Sequence, residues 1–88
     1  MDRTLLYDFF NCGDDQIIQF AITRAHLNKH ERDIIKYMID ECMTQEKAAE
    51  VMGYSPRRVQ EFWYTASSKL LLIPWVEAYA KYLRNLSK

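Results

Sequence analysis

The stretch Thr44-Gln-Glu-Lys-Ala-Ala-Glu-Val-Met-Gly53-Tyr-Ser55-Pro56-Arg-Arg-Val59-Gln-Glu-Phe62-Trp63 decides how this chain reads. Thr44 is an N-cap residue type, and Ala48, Ala49, Val51 and Met52 give the helix behind it a small-residue face. Gly53 ends that helix, because glycine takes the left-handed conformation of a helix stop without penalty. Ser55 is then a second N-cap, and Pro56 suits the first helical position, where its missing N–H is not needed. Val59, Phe62, Ala66, Leu70 and Ile73 follow at helical spacing until Pro74 interrupts or kinks the run. Two short helices on a tight turn, with small side chains where they cross, are the arrangement of a DNA-binding helix-turn-helix. The spacing assigns it to residues 44–72.

Such a motif works when its second helix buries one side and presents the other to a major groove. With Val59 at the centre of the buried side and about 100° per residue, Phe62, Trp63 and Ala66 fall near it. Arg57, Glu61, Tyr64, Thr65 and Ser68 fall on the far side, flanked by Arg58 and Gln60. Arginine pairs with guanine through two hydrogen bonds, glutamine with adenine, and glutamate accepts from cytosine. The preceding helix offers Thr44, Gln45 and Lys47 to phosphates at its N-terminal end. With the capping Ser55, these form the candidate DNA-binding set.

Working outward, the remaining chain reads as helix throughout. Leu5, Leu6, Phe9 and Phe10 make a short apolar face that Asn11-Cys12-Gly13 ends. Asp14 is placed to cap a second helix whose expected buried stripe is Ile17, Ile18, Ala21, Ile22 and Ala25, with Phe20 beside it. Asn28 and Glu31 have capping-box spacing ahead of a third helix bearing Ile34, Ile35, Met38, Ile39 and Cys42. After Pro74, Val76, Tyr79, Leu83 and Leu86 share one face. Trp75, Tyr79 and Tyr82 supply more aromatic surface than one small face needs. Two readings stay open for them: packing under the N-terminal helices, or contact with a partner in a homodimer. A dimer sets two recognition helices one DNA turn apart on a palindromic site.

The chain has 88 residues, only two Gly and two Pro, and 49% hydrophobic residues. That composition predicts an all-α, compact five- or six-helix fold in one domain over residues 1–88, with N-terminal helices in 1–26 and a C-terminal helix in 74–86. No run approaches the ~18 apolar residues of a membrane span. The start Met1-Asp2-Arg3 lacks a signal-peptide pattern, and the two cysteines, Cys12 and Cys42, are too few for a disulfide framework. The expected location is cytoplasmic. Net charge is zero, with 12 basic and 12 acidic residues, but the acidic excess lies at the N-terminal end and the basic excess after residue 47. Such a distribution favours modest, salt-sensitive binding to phosphates.

At this point a resemblance emerges. Leu27-Asn-Lys-His-Glu31-Arg32-Asp-Ile34-Ile35, followed by Met43-Thr44-Gln-Glu46-Lys-Ala48-Ala49-Glu-Val-Met-Gly53-Tyr-Ser55-Pro-Arg-Arg-Val59, resembles region 4 of sigma-70-type initiation factors. The match covers roughly residues 27–72. It implies that Arg57, Arg58 and Glu61 meet a promoter-like element and that the same module docks on RNA polymerase. Eighty-eight residues leave no room for the domain that opens the −10 region, and the aromatic tail and acidic N-terminal helix lie outside the matched pattern. The expectation is a stand-alone regulator of phage or mobile-element type.

Other chemistry reads as absent. Cys12, His26, His30 and Cys42 match no zinc-finger spacing, so no metal site is expected, and the thiols read as ordinary core residues. Asp14-Asp15 reads as a helix start, and Ser67-Ser68 has no recognisable base nearby. No cofactor and no enzyme activity are expected. The leading function is a sequence-specific, double-stranded-DNA-binding transcription regulator. The alternatives on the same fold are a protein-interaction module docking on RNA polymerase, a sigma factor or itself, and a phage DNA-packaging protein.

Overall fold

The computed structural model describes residues 2–86. Among them the chain forms six α-helices and no strand: α1 Leu5–Phe10, α2 Asp15–Ala25, α3 Lys29–Ile35, α4 Gln45–Met52, α5 Pro56–Leu71 and α6 Pro74–Leu86. Local signals set most boundaries. The Asp14 carboxylate accepts from the N–H groups of Gln16 and Ile17 at 3.1 and 3.3 Å and opens α2. Asn28 and Glu31 form a full capping box, each side chain accepting from the other's backbone N–H at 2.9 Å. Thr44 accepts from Lys47 N–H at 3.1 Å and Ser55 from Arg58 N–H at 3.2 Å. Each satisfies a donor that a helix N-terminus otherwise leaves orphaned.

The chain divides into two compact units, with the boundary falling in α5 after Ala66. One unit comprises the residues through His26 together with those from Ser67 onward. Its core includes Leu5, Leu6, Phe9 and Phe10 of α1, Ala21 of α2, Leu70 and Leu71 of α5, and Val76 and Ala80 of α6. Phe9 is fully buried, with Trp75 and Tyr79 each 6.1 Å away between ring centroids. Arg84 of α6 binds Asp8 of α1 at 2.8 Å, Asp2 at 2.9 Å and the Thr4 hydroxyl at 2.8 Å. Arg3 donates to the buried Ser67 hydroxyl at 2.9 Å.

Three expectations about this unit are corrected. In α2 only Ala21 is buried. Ile17, Ile18, Ile22 and Ala25 are half-buried and Phe20 is exposed. In α6 the buried pair is Val76 and Ala80, and Leu86 is exposed. Ile73 lies beyond the end of α5, because Pro74 is the first residue of α6 and not a kink within a longer helix.

The second unit runs from Leu27 to Ala66. Its core comprises Leu27, Ile34, Ile35, Met38, Ile39, Ala48, Ala49, Val59, Trp63 and Ala66, with the capping-box Glu31 also buried. Val51, expected on the packed face of α4, is instead exposed. The third helix departs from its expected course. After Ile35 it widens into a π-helical turn over Lys36–Asp40, in which Glu41 N–H donates to the Lys36 carbonyl at 3.1 Å. Cys42 then takes a left-handed conformation, φ +52°, and Met43 N–H donates to the Tyr37 carbonyl at 2.9 Å. Cys42 therefore leaves the helix and is exposed, and Cys12 is only half-buried, so neither is the core thiol its spacing implies. No helix among the described residues is long and apolar enough to cross a membrane.

Candidate nucleic-acid interface

The segment from Thr44 to Ala66 lies wholly in the second unit. Between α4 and α5 the turn is three residues long. Gly53 adopts φ +78°, and both its N–H and that of Tyr54 donate to the Ala49 carbonyl, at 2.9 and 3.1 Å. A Cβ built on Gly53 meets nothing within 4 Å, so the backbone conformation, not crowding, is what calls for glycine. Ala48 and Ala49 on α4 and Val59, Trp63 and Ala66 on α5 are buried.

The opposite side of α5 is exposed at Arg57, Arg58, Glu61, Tyr64 and Thr65, with Gln60 half-buried beside them. Their charges and hydroxyls are unequally available. Arg58 pairs with Glu61 at 3.2 Å and lies 5.1 Å from the centre of the Phe62 ring. The Thr65 hydroxyl donates to the carbonyls of Glu61 and Phe62, at 3.2 and 3.1 Å. Gln60 donates to the Tyr64 hydroxyl at 2.9 Å. On α4, Lys47 stands 3.8 Å from Glu50, both exposed. Arg57 has no hydrogen-bond or ion-pair partner among the described residues. Thr44 and Ser55 are exposed and spend one lone pair each on their caps, while Gln45 is half-buried. Ser68, expected on the far face, is half-buried, with its hydroxyl 3.5 Å from the Arg3 guanidinium.

An aromatic cluster that no spacing announces stands behind this face. His30 at the start of α3, Tyr54 in the turn and Phe62 on α5 have ring centroids 4.9 to 5.3 Å apart. His30 Nε2 lies 2.5 Å from the Tyr54 hydroxyl. The cluster ties the turn to α3 and continues into the Arg58–Glu61 pair through Phe62. Its members are 8 to 32 positions apart in the chain, so no local pattern reveals it.

The candidate partner residues Trp75, Tyr79 and Tyr82 lie in the other unit. Trp75 and Tyr79 are half-buried and Tyr82 is exposed. The first two line a groove with Asp14, Gln16, Ile17 and Phe20 of α2 and its cap. Among the described residues no group of three or more His, Cys, Asp or Glu is placed to hold a metal. Comparison with protein families, curated proteins and solved structures finds no match for this chain.

Proposed function

We propose that this protein is a sequence-specific regulator that binds double-stranded DNA through α4 and α5, in the manner its likeness to sigma region 4 implies. The observation that carries the reading is the division of α5. Val59, Trp63 and Ala66 are buried, while Arg57, Arg58, Glu61, Tyr64 and Thr65 are exposed on one continuous outer side. Such a helix offers a groove its polar side without disturbing its own core. Arg57 carries an uncompensated charge and has no internal pair to break. Arg58 has to leave Glu61, but an exposed pair of this kind is worth only about 0–1 kcal/mol, so exchanging a carboxylate for a phosphate costs little.

The test is selection from a random duplex pool at low salt, followed by titration of the selected site. Arg57→Ala weakens binding most and lowers the salt slope by about one phosphate contact. Arg58→Ala weakens it less. A pool from which the native chain retains no duplex at low salt removes the proposal.

A further inference from the structure

Helices α2 and α6 border a groove of about 380 Å³ lined by Asp14, Gln16, Ile17, Phe20, Trp75 and Tyr79. Its wall is aromatic. Phe20 and Trp75 meet at 5.8 Å between ring centroids, and Tyr79 leads on to Tyr82 at 6.4 Å. Phe20 is 57% exposed and Tyr82 60% exposed. Aromatic surface left open beside a groove marks a site for another protein surface.

The charges around the groove indicate which surface. Most acidic groups of this unit are already held: Asp2 and Asp8 by Arg84, and Glu77 by Lys81 at 3.0 Å. Asp14 and Asp15 at the start of α2, and Arg24 in its last turn, have no ion-pair partner among the described residues. Helix α2 spans Asp15–Ala25, which makes Phe20 its midpoint. At about 100° per residue, Gln16, Phe20, Thr23 and Arg24 share one side. Asp14 lines the same groove as Phe20. The exposed side of α2 is thus acidic at one end, aromatic in the middle and basic at the other. A partner of a single charge sign leaves one end unmatched. A copy of α2 running antiparallel matches both ends at once, as a self-complementary two-fold contact does.

We propose that a second copy of this chain docks on the groove between α2 and α6, with α2 antiparallel to its copy. Phe20 lies near the two-fold axis against its counterpart, and each Asp14 faces the Arg24 of the other copy. The aromatic surface supplies the apolar burial, and the charges set the direction of the helices.

The experiment is the mass of the purified full chain by sedimentation, without DNA, across concentration and at low and high salt. Because DNA is absent, its outcome is independent of the duplex-binding test. The native chain is expected to form a dimer that weakens as it is diluted. Phe20→Ser makes it monomeric with an unchanged helical spectrum, since Phe20 is not in the core. Arg24→Glu turns the end contacts repulsive and weakens association about tenfold or more at low salt. Adding Asp14→Asn, which keeps a capping side chain, recovers part of that loss. A chain that stays monomeric at about 1 mM, or a dimer indifferent to either substitution, overturns the proposal.

Discussion

The outer side of α5 and the groove beside α2 are both exposed, yet they are built from different chemistry. On α5 nearly every polar group has company within its own helix: Arg58 with Glu61, Gln60 with Tyr64, and Thr65 with backbone carbonyls. Such a surface sits comfortably in water, because each group exchanges one polar partner for another at small net cost. Beside α2 the exposed apolar groups are Phe20 and Tyr82, and the half-buried ones include Ile17, Trp75 and Tyr79. Apolar area left in water forgoes about 25 cal/mol for every Å² that a partner could cover. Exposure alone says little about partners. On the proposed reading the first surface meets a hydrated, charged polymer and the second another apolar surface.

The largest expected difference is between Phe20 and a true core residue. Ile34→Ala, at a fully buried position, is expected to lower unfolding stability by about 2–5 kcal/mol in urea titration. Phe20→Ser at low protein concentration should cost only about 0.5–1.5 kcal/mol, the scale of its ring contact with Trp75. Comparable losses for the two would make the groove part of the core and end the contrast.

The next effect concerns how firmly the α4–α5 turn is held. Ser55→Ala removes the cap on Arg58 N–H and is expected to cost about 0.5–2 kcal/mol. Gly53→Ala forces a side chain into the left-handed region and should cost about 1–2 kcal/mol. Gly53→Asn should cost less, because asparagine tolerates that conformation and the space beside Gly53 is open. Thermal melts of the three variants rank these effects. Equal losses for Ala and Asn at residue 53 point to crowding instead of backbone strain.

The smallest effect is electrostatic and belongs to the aromatic unit. The Thr4 hydroxyl first, and then Arg84, hold the Asp2 carboxyl below its ordinary value of 3.8. The Asp2 and then the Asp8 carboxylate push the Arg84 guanidinium up in turn. A depressed carboxylate stabilises the fold above its unfolded value, and that contribution is lost as pH falls through the folded one. Stability should therefore decline below about pH 4. In an NMR titration, Arg84→Ala should move the Asp2 midpoint upward and reduce the acid sensitivity traceable to it. An unmoved midpoint shows that Arg84 does not act on Asp2.

Much of this structure was legible in the chain because helix starts and stops are local events. Asp14, Asn28, Thr44 and Ser55 each cap a backbone N–H two or three residues away, and Gly13 and Gly53 take the left-handed turns expected of them. The buried side of α5 was legible at Val59, Trp63 and Ala66 for the same reason, since its phase follows from one helical period, whereas Phe62 in that phase is only half-buried. What periodicity misjudged were faces whose cover comes from elsewhere. The Ile17–Ile22 stripe has the spacing of a core helix but is only half covered. Cys42 continues the period of α3, but the π-turn at Lys36–Asp40 breaks the register before reaching it.

The chain alone determined an all-helical fold of five or six helices, the N-caps at Asp14, Asn28, Thr44 and Ser55 and the polar dress of α5, because each depends on neighbours within about one turn. Tertiary structure alone decided three further things. It gathered His30, Tyr54 and Phe62 behind the turn. It closed Arg84 on Asp2 and Asp8 from the far end of the chain. It also left Phe20 beside Trp75 in an open groove. The physical reason is shared: a helix's period tells which residues lie on the same side, but only packing tells what, if anything, covers that side.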